Sequence, residues 1–170
     1  PKGQSLTPAE KEKNRSLKMK ILKGTFDLRE LAQESLKKYW GGLSGAQRDR
    51  FVTLLTDLLE EKALFSKEQS AARSKNGGQY AVAYRGQKIE GERSYVKTRV
   101  SVPSENVQIA INYRLKKGAA GWKIYDIIVD ESSLVDNYRY QFDSIISKHG
   151  FDELLRRMGD KLSEIRGKRK

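Results

Sequence analysis

Cysteine is absent from this chain of 170 residues. Its absence rules out disulfides, thiolate metal sites and cysteine nucleophiles, and it permits any compartment. Histidine occurs once, as His149, which is too few for a multi-histidine metal site. At the end of a helical pattern it suits the negative end of the helix dipole. No apolar run approaches the roughly 20 residues needed to span a bilayer. The sequence begins at Pro1, so the lack of a leader says nothing about export. No G-x-S-x-G, Gly-rich phosphate loop, zinc spacing or calcium loop occurs.

Positive charge, by contrast, is abundant. The formal net charge is +12, a value that first points to nucleic acid. Its distribution argues otherwise. Residues 1–23 carry seven Lys or Arg against two Glu, net +5, and residues 161–170 carry five against one, net +4. The middle is nearly balanced. Basic ends read either as solvated tails or as segments drawn to an anionic membrane surface.

The hydrophobic pattern divides the chain. Residues 1–20 lack a clear apolar period and read as an extended or loosely helical basic lead-in, in which Thr7-Pro8-Ala9-Glu10 can open a short helix. Residues 26–40 read as the first firm helix. Asp27 and Glu30 serve as cap and capping partner, Leu28, Leu31, Ala32, Ser35, Leu36 and Tyr39 form the buried stripe, and Gly41-Gly42 is the stop. Ser44 and Gln47 make a capping box for a second helix, in which Phe51, Leu54, Leu55, Leu58 and Leu59 follow the helical period. After a turn cluster at 74–78 the period changes to two. Strands are expected over 79–89 (Tyr80, Val82 and Tyr84 on one face), 94–102 (Val96, Thr98, Val100, Val102) and 106–116 (Val107, Ile109, Ile111, Tyr113, Leu115). A fourth strand over 121–129 is apolar on both faces, interrupted only by Asp126. Ser132 or Ser133 then caps a helix carrying Leu134, Val135, Tyr138, Phe142, Ile145 and Ile146 on one stripe, with Gly150 as its stop.

Helices, then a meander, then helices make an α+β pattern. The expected form is a curved four-stranded antiparallel sheet whose apolar face is covered by N- and C-terminal helices. By analogy this is an NTF2-like or cystatin-like cone with an internal apolar cavity. The domain plan is a basic lead-in at 1–20, one domain over 21–162 and a basic tail at 163–170.

Asp126 is the one candidate catalytic group. It can be a general base in an isomerase- or dehydratase-like pocket, or a carboxylate paired with an Arg or capping a backbone N–H, and a lone carboxylate favours the second. The aromatics share faces with Val and Ile, so a core role suits them better than a single-stranded nucleic-acid platform. No catalytic and no metal-binding residues are assigned.

Several short patterns occur together. Phe26-Asp27 heads one helix and Tyr39-Trp40 ends it. Ser44, Gln47, Arg48 and Phe51 follow as S-x-x-QR-x-x-F. Gly121-Trp122 and Tyr125-Asp126 precede Ser133-Leu134, Tyr138-Arg139, Phe142, Gly150 and Leu154-Leu155. In this order and spacing the chain resembles the MlaC or toluene-tolerance auxiliary family, over about residues 21–162. Departures are EEKALFSKEQ after Leu59, without the tyrosine common there, and Glu131-Ser132 where many relatives have Glu-Gly.

The resemblance implies a non-enzymatic, soluble periplasmic phospholipid carrier. It would hold no cofactor, its lipid being cargo. Its partners would be an outer-membrane lipoprotein complex and an inner-membrane ABC transporter with a membrane-anchored lipid-binding ring, with no nucleic acid. The lipid-lining set expected on this basis is Phe51, Leu55, Tyr84, Val100, Ile109, Ile111, Tyr113, Tyr125, Ile127, Val129 and Tyr138, with Arg139 as a rim cation for a phosphate. Its register depends on the 117–121 turn. An odd number of unpaired residues puts Tyr125, Ile127 and Val129 beside Ile111 and Tyr113, whereas an even number brings in Trp122, Ile124 and Asp126. The cost of desolvating an unpaired carboxylate favours the odd register.

Overall fold

The computed structural model describes residues 7–73, 81–102 and 106–167. The turns expected at 74–78 and 103–104, together with Tyr80, lie outside the described residues. The chain runs α1 (Pro8–Thr25), α2 (Leu28–Leu36), a 3-10 segment (Lys37–Gly42), α3 (Gly45–Arg73), β1 (Ala81–Glu90), β2 (Arg93–Val102), β3 (Val107–Gly118), β4 (Gly121–Val129), β5 (Ser132–Ser133), α4 (Leu134–His149) and α5 (Phe151–Gly167). The strands form one open antiparallel sheet in sequential order. The α+β class and the meander are as expected, and the two-residue β5 is an addition.

Caps explain several boundaries. Thr7 and Glu10 close a full capping box around Pro8, so the helix start read there forms, and the helix runs for 18 residues rather than being short or loose. The Ser44–Gln47 box forms as read, with Ser44 N donating to Gln47 Oε1 and Gln47 N to Ser44 Oγ. Asp27 Oδ1 accepts from the N–H of Glu30, but the Glu30 carboxylate does not return to complete a box and is spent on the sheet. The helix expected to reach residue 40 stops at Leu36, where Lys37 adopts φ 41°. Ser133 caps α4 by accepting from Asp136 N, and Gly150 ends that helix at φ 85°. Helix α5 continues to Gly167 with Leu162 and Ile165 buried, so the helix crosses the boundary drawn at residue 163.

The packed core is helical. Leu31, Leu36, Phe51, Leu55, Val135, Tyr138, Phe142, Leu154 and Met158 are buried together, and among the described residues Tyr125 is the only strand residue of this buried cluster. Phe142 meets Phe51 edge-on at 5.4 Å and stacks on Tyr138 at 5.3 Å. Such pairs add about 0.5–1.5 kcal/mol each beyond the area they bury.

Candidate functional site: the two faces of the sheet

Register assigns every strand residue to a face. Rows run across the sheet as Tyr84–Thr98–Ile111–Val129, Gln87–Val96–Tyr113–Ile127, and Val82–Val100–Ile109. These residues form a nearly unbroken apolar face. The opposite face carries Arg99–Ala110, Lys97–Asn112–Ile128, Tyr95–Arg114–Asp126 and Arg93–Lys116–Lys123.

Among the described side chains, the hydrogen bonds and ion pairs that tie α2 and α4 to the sheet are made on the charged face. The Glu30 carboxylate of α2 is buried and takes Arg93 Nη2 at 2.6 Å and Lys116 Nζ at 2.7 Å. That carboxylate holds the Lys116 ammonium above the ordinary lysine pKa, against a smaller opposing effect of burial. Burial also disfavours the Arg93 charge, but a hydrogen bond to Tyr125 and the Glu30 carboxylate outweigh it and raise the Arg93 pKa. The Arg93 guanidinium lies 5.1 Å from the centre of the Tyr125 ring.

Asp126 anchors α4. It is buried, with Arg114 Nη1 at 3.0 Å, Ser133 Oγ at 2.8 Å and the backbone N of Val135 at 3.0 Å. Both structural roles considered for it, pairing with an arginine and capping a backbone N–H, are filled at once. No cluster of three or more metal-ligating side chains occurs among the described residues.

The 117–121 turn leaves two residues unpaired, because Gly118 faces Gly121. This is the even case, and Leu115 accordingly pairs with Ile124 and Lys117 with Trp122. The register then shifts at Tyr125, so Arg114 pairs with Asp126 and Tyr113 with Ile127. A bulge adds one residue to one strand and resets the alternation. Ile127 and Val129 therefore join Ile111 and Tyr113 as expected. Tyr125 does not, because the bulge turns it to the Arg93 side and into the helical core.

The expected lining set thus divides between two places. Tyr84, Val100, Ile109, Ile111, Tyr113, Ile127 and Val129 share the apolar face. Phe51, Leu55, Tyr125 and Tyr138 are interior to the packed core. Arg139 is committed elsewhere. Its Nε and Nη2 donate to the Glu34 carbonyl at 3.0 and 2.9 Å, and Nη1 lies 2.5 Å from Asp136 Oδ1, so it clasps α4 to α2. Sequence reading missed Glu30 and the bulge. The first had a competing role three residues after a cap, and the second leaves no mark in the alternation.

Two open clefts flank the sheet. One, of about 480 Å³, lies on the charged face between Arg85, Lys97 and Arg99 on one side and Glu131 and Asp136 on the other. A second, of about 490 Å³, lies between α1, α3 and the β3–β4 turn. No described helix is long and apolar enough to cross a membrane.

The pairing of an apolar sheet face with a YD-anchored helix gains its context from known proteins. A model of the family described as MlaC protein matches residues 2–160. The chain belongs to the MlaC family. Among curated relatives, the intermembrane phospholipid transport system binding protein MlaC of Haemophilus influenzae is 23% identical over 133 residues. That match covers 76% of this chain and 59% of the relative's length. Among solved structures, a phospholipid-binding protein from Ralstonia solanacearum, determined in complex with a phospholipid, superposes with a TM-score of 0.70 at 20% identity, over 94% of this chain and 88% of that one. The fold is therefore MlaC-like.

The geometry explains the short patterns that carry the family resemblance. In S-x-x-QR-x-x-F, Ser44 and Gln47 cap α3, and Arg48 donates to the carbonyls of Trp40 and Gly41 while lying over the Trp40 ring. Phe51 is fully buried at the centre of the core. In YD, Tyr125 fills the core and Asp126 pins the start of α4.

Proposed function

We propose that this protein is a non-enzymatic phospholipid carrier, working in the periplasm between membranes. The observation that carries the reading is the apolar face of the sheet. Val100, Ile109, Ile111, Tyr113 and Ile127 are half-buried, yet among the described residues none of them belongs to the core cluster or to the partly buried side chains packed on it. Tyr84 and Val129 beside them are 62% and 41% exposed. An apolar surface of this extent, separate from the core of its own domain, calls for a ligand. Acyl chains match it, because each CH₂ shielded from water contributes about 0.8 kcal/mol. In this reading the curved sheet forms the wall of the apolar cavity, and the chains lie along β2–β4.

Membership of the MlaC family supports the reading, as do the phospholipid transport role of the Haemophilus relative and the ligand of the Ralstonia neighbour. On the same basis the partners would be an outer-membrane lipoprotein complex and an inner-membrane ABC transporter with a membrane-anchored lipid-binding ring. An Asp126-based enzyme is not favoured, because the carboxylate is buried and committed to Arg114, Ser133 and Val135.

The test is native mass spectrometry and lipid extraction of the purified protein, followed by incubation with liposomes. Diacyl phospholipid at up to one equivalent per chain is expected. Only apo mass, with no uptake from liposomes, would refute the carrier reading.

A further inference from the structure

Helix α1 presents two opposed apolar strips, and only one of them faces the domain. Arg15, Met19 and Leu22 point inward, where Arg15 Nε lies 3.2 Å from the buried Glu60 and Met19 and Leu22 are half-buried. The end of the helix is tied down by Phe26 N to Leu22 O, by the Phe26–Ile124 bridge to β4 and by Lys123 Nζ to the Lys23 carbonyl. At 100° per residue, Leu17 and Ile21 fall roughly opposite that inner strip. They are 56% and 60% exposed.

Lysines surround these two side chains. Lys13 is one turn before Leu17, Lys20 is just under one turn after it, and Lys18 is three residues before Ile21. Lys13 and Lys20 are exposed and Lys18 is half-buried. Among the described residues, none of the three is within ion-pair distance of a carboxylate. The only acid on the outer strip among these turns, Glu10, is engaged in the Thr7 capping box.

We propose that the outer strip of α1 docks on an anionic lipid surface, with Leu17 and Ile21 entering the interface and Lys13, Lys18 and Lys20 meeting the headgroups. Two aliphatic side chains in a lysine ring suit a membrane, where apolar insertion and attraction to anionic lipid add together. They do not suit a second copy of the chain, because the lysines of both copies would face each other. They are also too small a patch for a stable protein interface, which buries more than about 1,000 Å². The docking goes beyond the carrier reading and does not depend on it. It uses the outside of α1, far in function from the apolar face of the sheet, and the two can fail separately.

The experiment is co-sedimentation with vesicles of phosphatidylglycerol and phosphatidylethanolamine, compared with vesicles of phosphatidylcholine alone. The protein is expected to bind the anionic vesicles and to lose binding as salt rises. Leu17→Glu with Ile21→Glu should weaken that binding by about tenfold or more, with an unchanged thermal midpoint and unchanged lipid uptake into the apolar face. Lys13→Glu should also weaken that binding, whereas Lys148→Glu on α4, the same change of charge at an unrelated site, should have little effect. The chain has no native cysteine, so Ile21→Cys carrying an environment-sensitive dye gives a second readout, a blue shift on anionic vesicles that the same dye at Lys148→Cys lacks. Undiminished binding by the double variant, equal binding to both vesicle types, or a change of oligomeric state on substituting Leu17 and Ile21 would overturn the proposal.

Discussion

Arg114 Nη1 lies 3.0 Å from Asp126 Oδ2, and the two residues are cross-strand partners on the helix-bearing face of the sheet. The same carboxylate also receives Ser133 Oγ and the Val135 N–H. One side chain therefore joins β3, β4 and the first turn of α4. Arg114 is 40% exposed, so water weakens its share, whereas the two bonds to Ser133 and Val135 are buried. Asp126→Ala is expected to cost about 2–4 kcal/mol of stability, because it leaves a buried N–H and hydroxyl unmet. Asp126→Asn, which keeps the shape and can still accept one bond, should cost less. Urea midpoints for the two variants check this, and an unchanged midpoint for Asp126→Ala would show that α4 is held by other means.

A second prediction concerns acid stability. On α5, hydrogen bonds from Arg156 and then Arg157 hold Glu153 well below the usual glutamate value, at about 2. Depressing a carboxylate pKa in the folded state adds stability above its unfolded value of about 4.5, and that contribution fades as pH falls towards 2. Glu153→Gln should therefore lower the thermal midpoint slightly at neutral pH and make no difference near pH 2. A gap between wild type and variant that is constant across this range would contradict the linkage. Both arginine partners are exposed, so the effect is expected to be small and reduced by salt.

A third concerns the basic C-terminal segment. Residues 161–170 read as a tail by charge alone, and their removal then ought to alter only electrostatics. The structure gives them a packing role through Leu162 and Ile165, buried in the core, and through Arg166, 3.2 Å from both Asp57 and Glu61 of α3. Deleting 161–170 is expected to destabilise the fold by about 3 kcal/mol or more, from the loss of two buried aliphatic side chains. Lys161→Gln, on the exposed face of the same turn, should be close to neutral. Calorimetry of both forms checks the contrast.

The helices that bury a single stripe were legible in the sequence, whereas of α1 only the start at Thr7-Pro8 was. The stripe from Phe51 to Leu59 and the Ser44 and Ser133 caps follow from spacing and side-chain chemistry alone. Helix α1 escaped because Met19 and Leu22 face one way while Leu17 and Ile21 face the other, which leaves no single apolar side to detect. The alternation of β3 placed Ile109, Ile111 and Tyr113 on one face correctly. What alternation cannot reveal is a one-residue bulge. Counting from an even turn puts Asp126 beside Tyr113, and the bulge at Tyr125 moves it beside Arg114 instead. Burial of the whole lining set in one cavity was inferred from shared hydrophobicity, which does not distinguish a core face from a ligand face. Register and burial together put Tyr125 and Tyr138 in the core and Tyr113 and Ile127 on the apolar face of the sheet.

That separation leads to the last prediction. Ile127 and Ile128 are neighbours in β4 with similar side chains, but they point to opposite faces. Ile127 pairs with Tyr113 on the apolar face and is half-buried, whereas Ile128 pairs with Asn112 and Ser133 and is 5% exposed beneath β5. A glutamate at 127 can reach water when no lipid is present, yet it places a charge where the proposed acyl chain would lie. A glutamate at 128 has no such exit. Ile127→Glu is therefore expected to fold cooperatively, with a modest loss of thermal midpoint, and to retain little or no phospholipid. Ile128→Glu should cost several kcal/mol, on the scale of an unpaired buried charge, about 3–5 kcal/mol. Native mass spectrometry for bound lipid and circular dichroism for folding separate the two. If Ile127→Glu keeps its lipid while folding normally, the chains do not lie on this face. The hydrophobic surface of β2–β4 would then need another occupant.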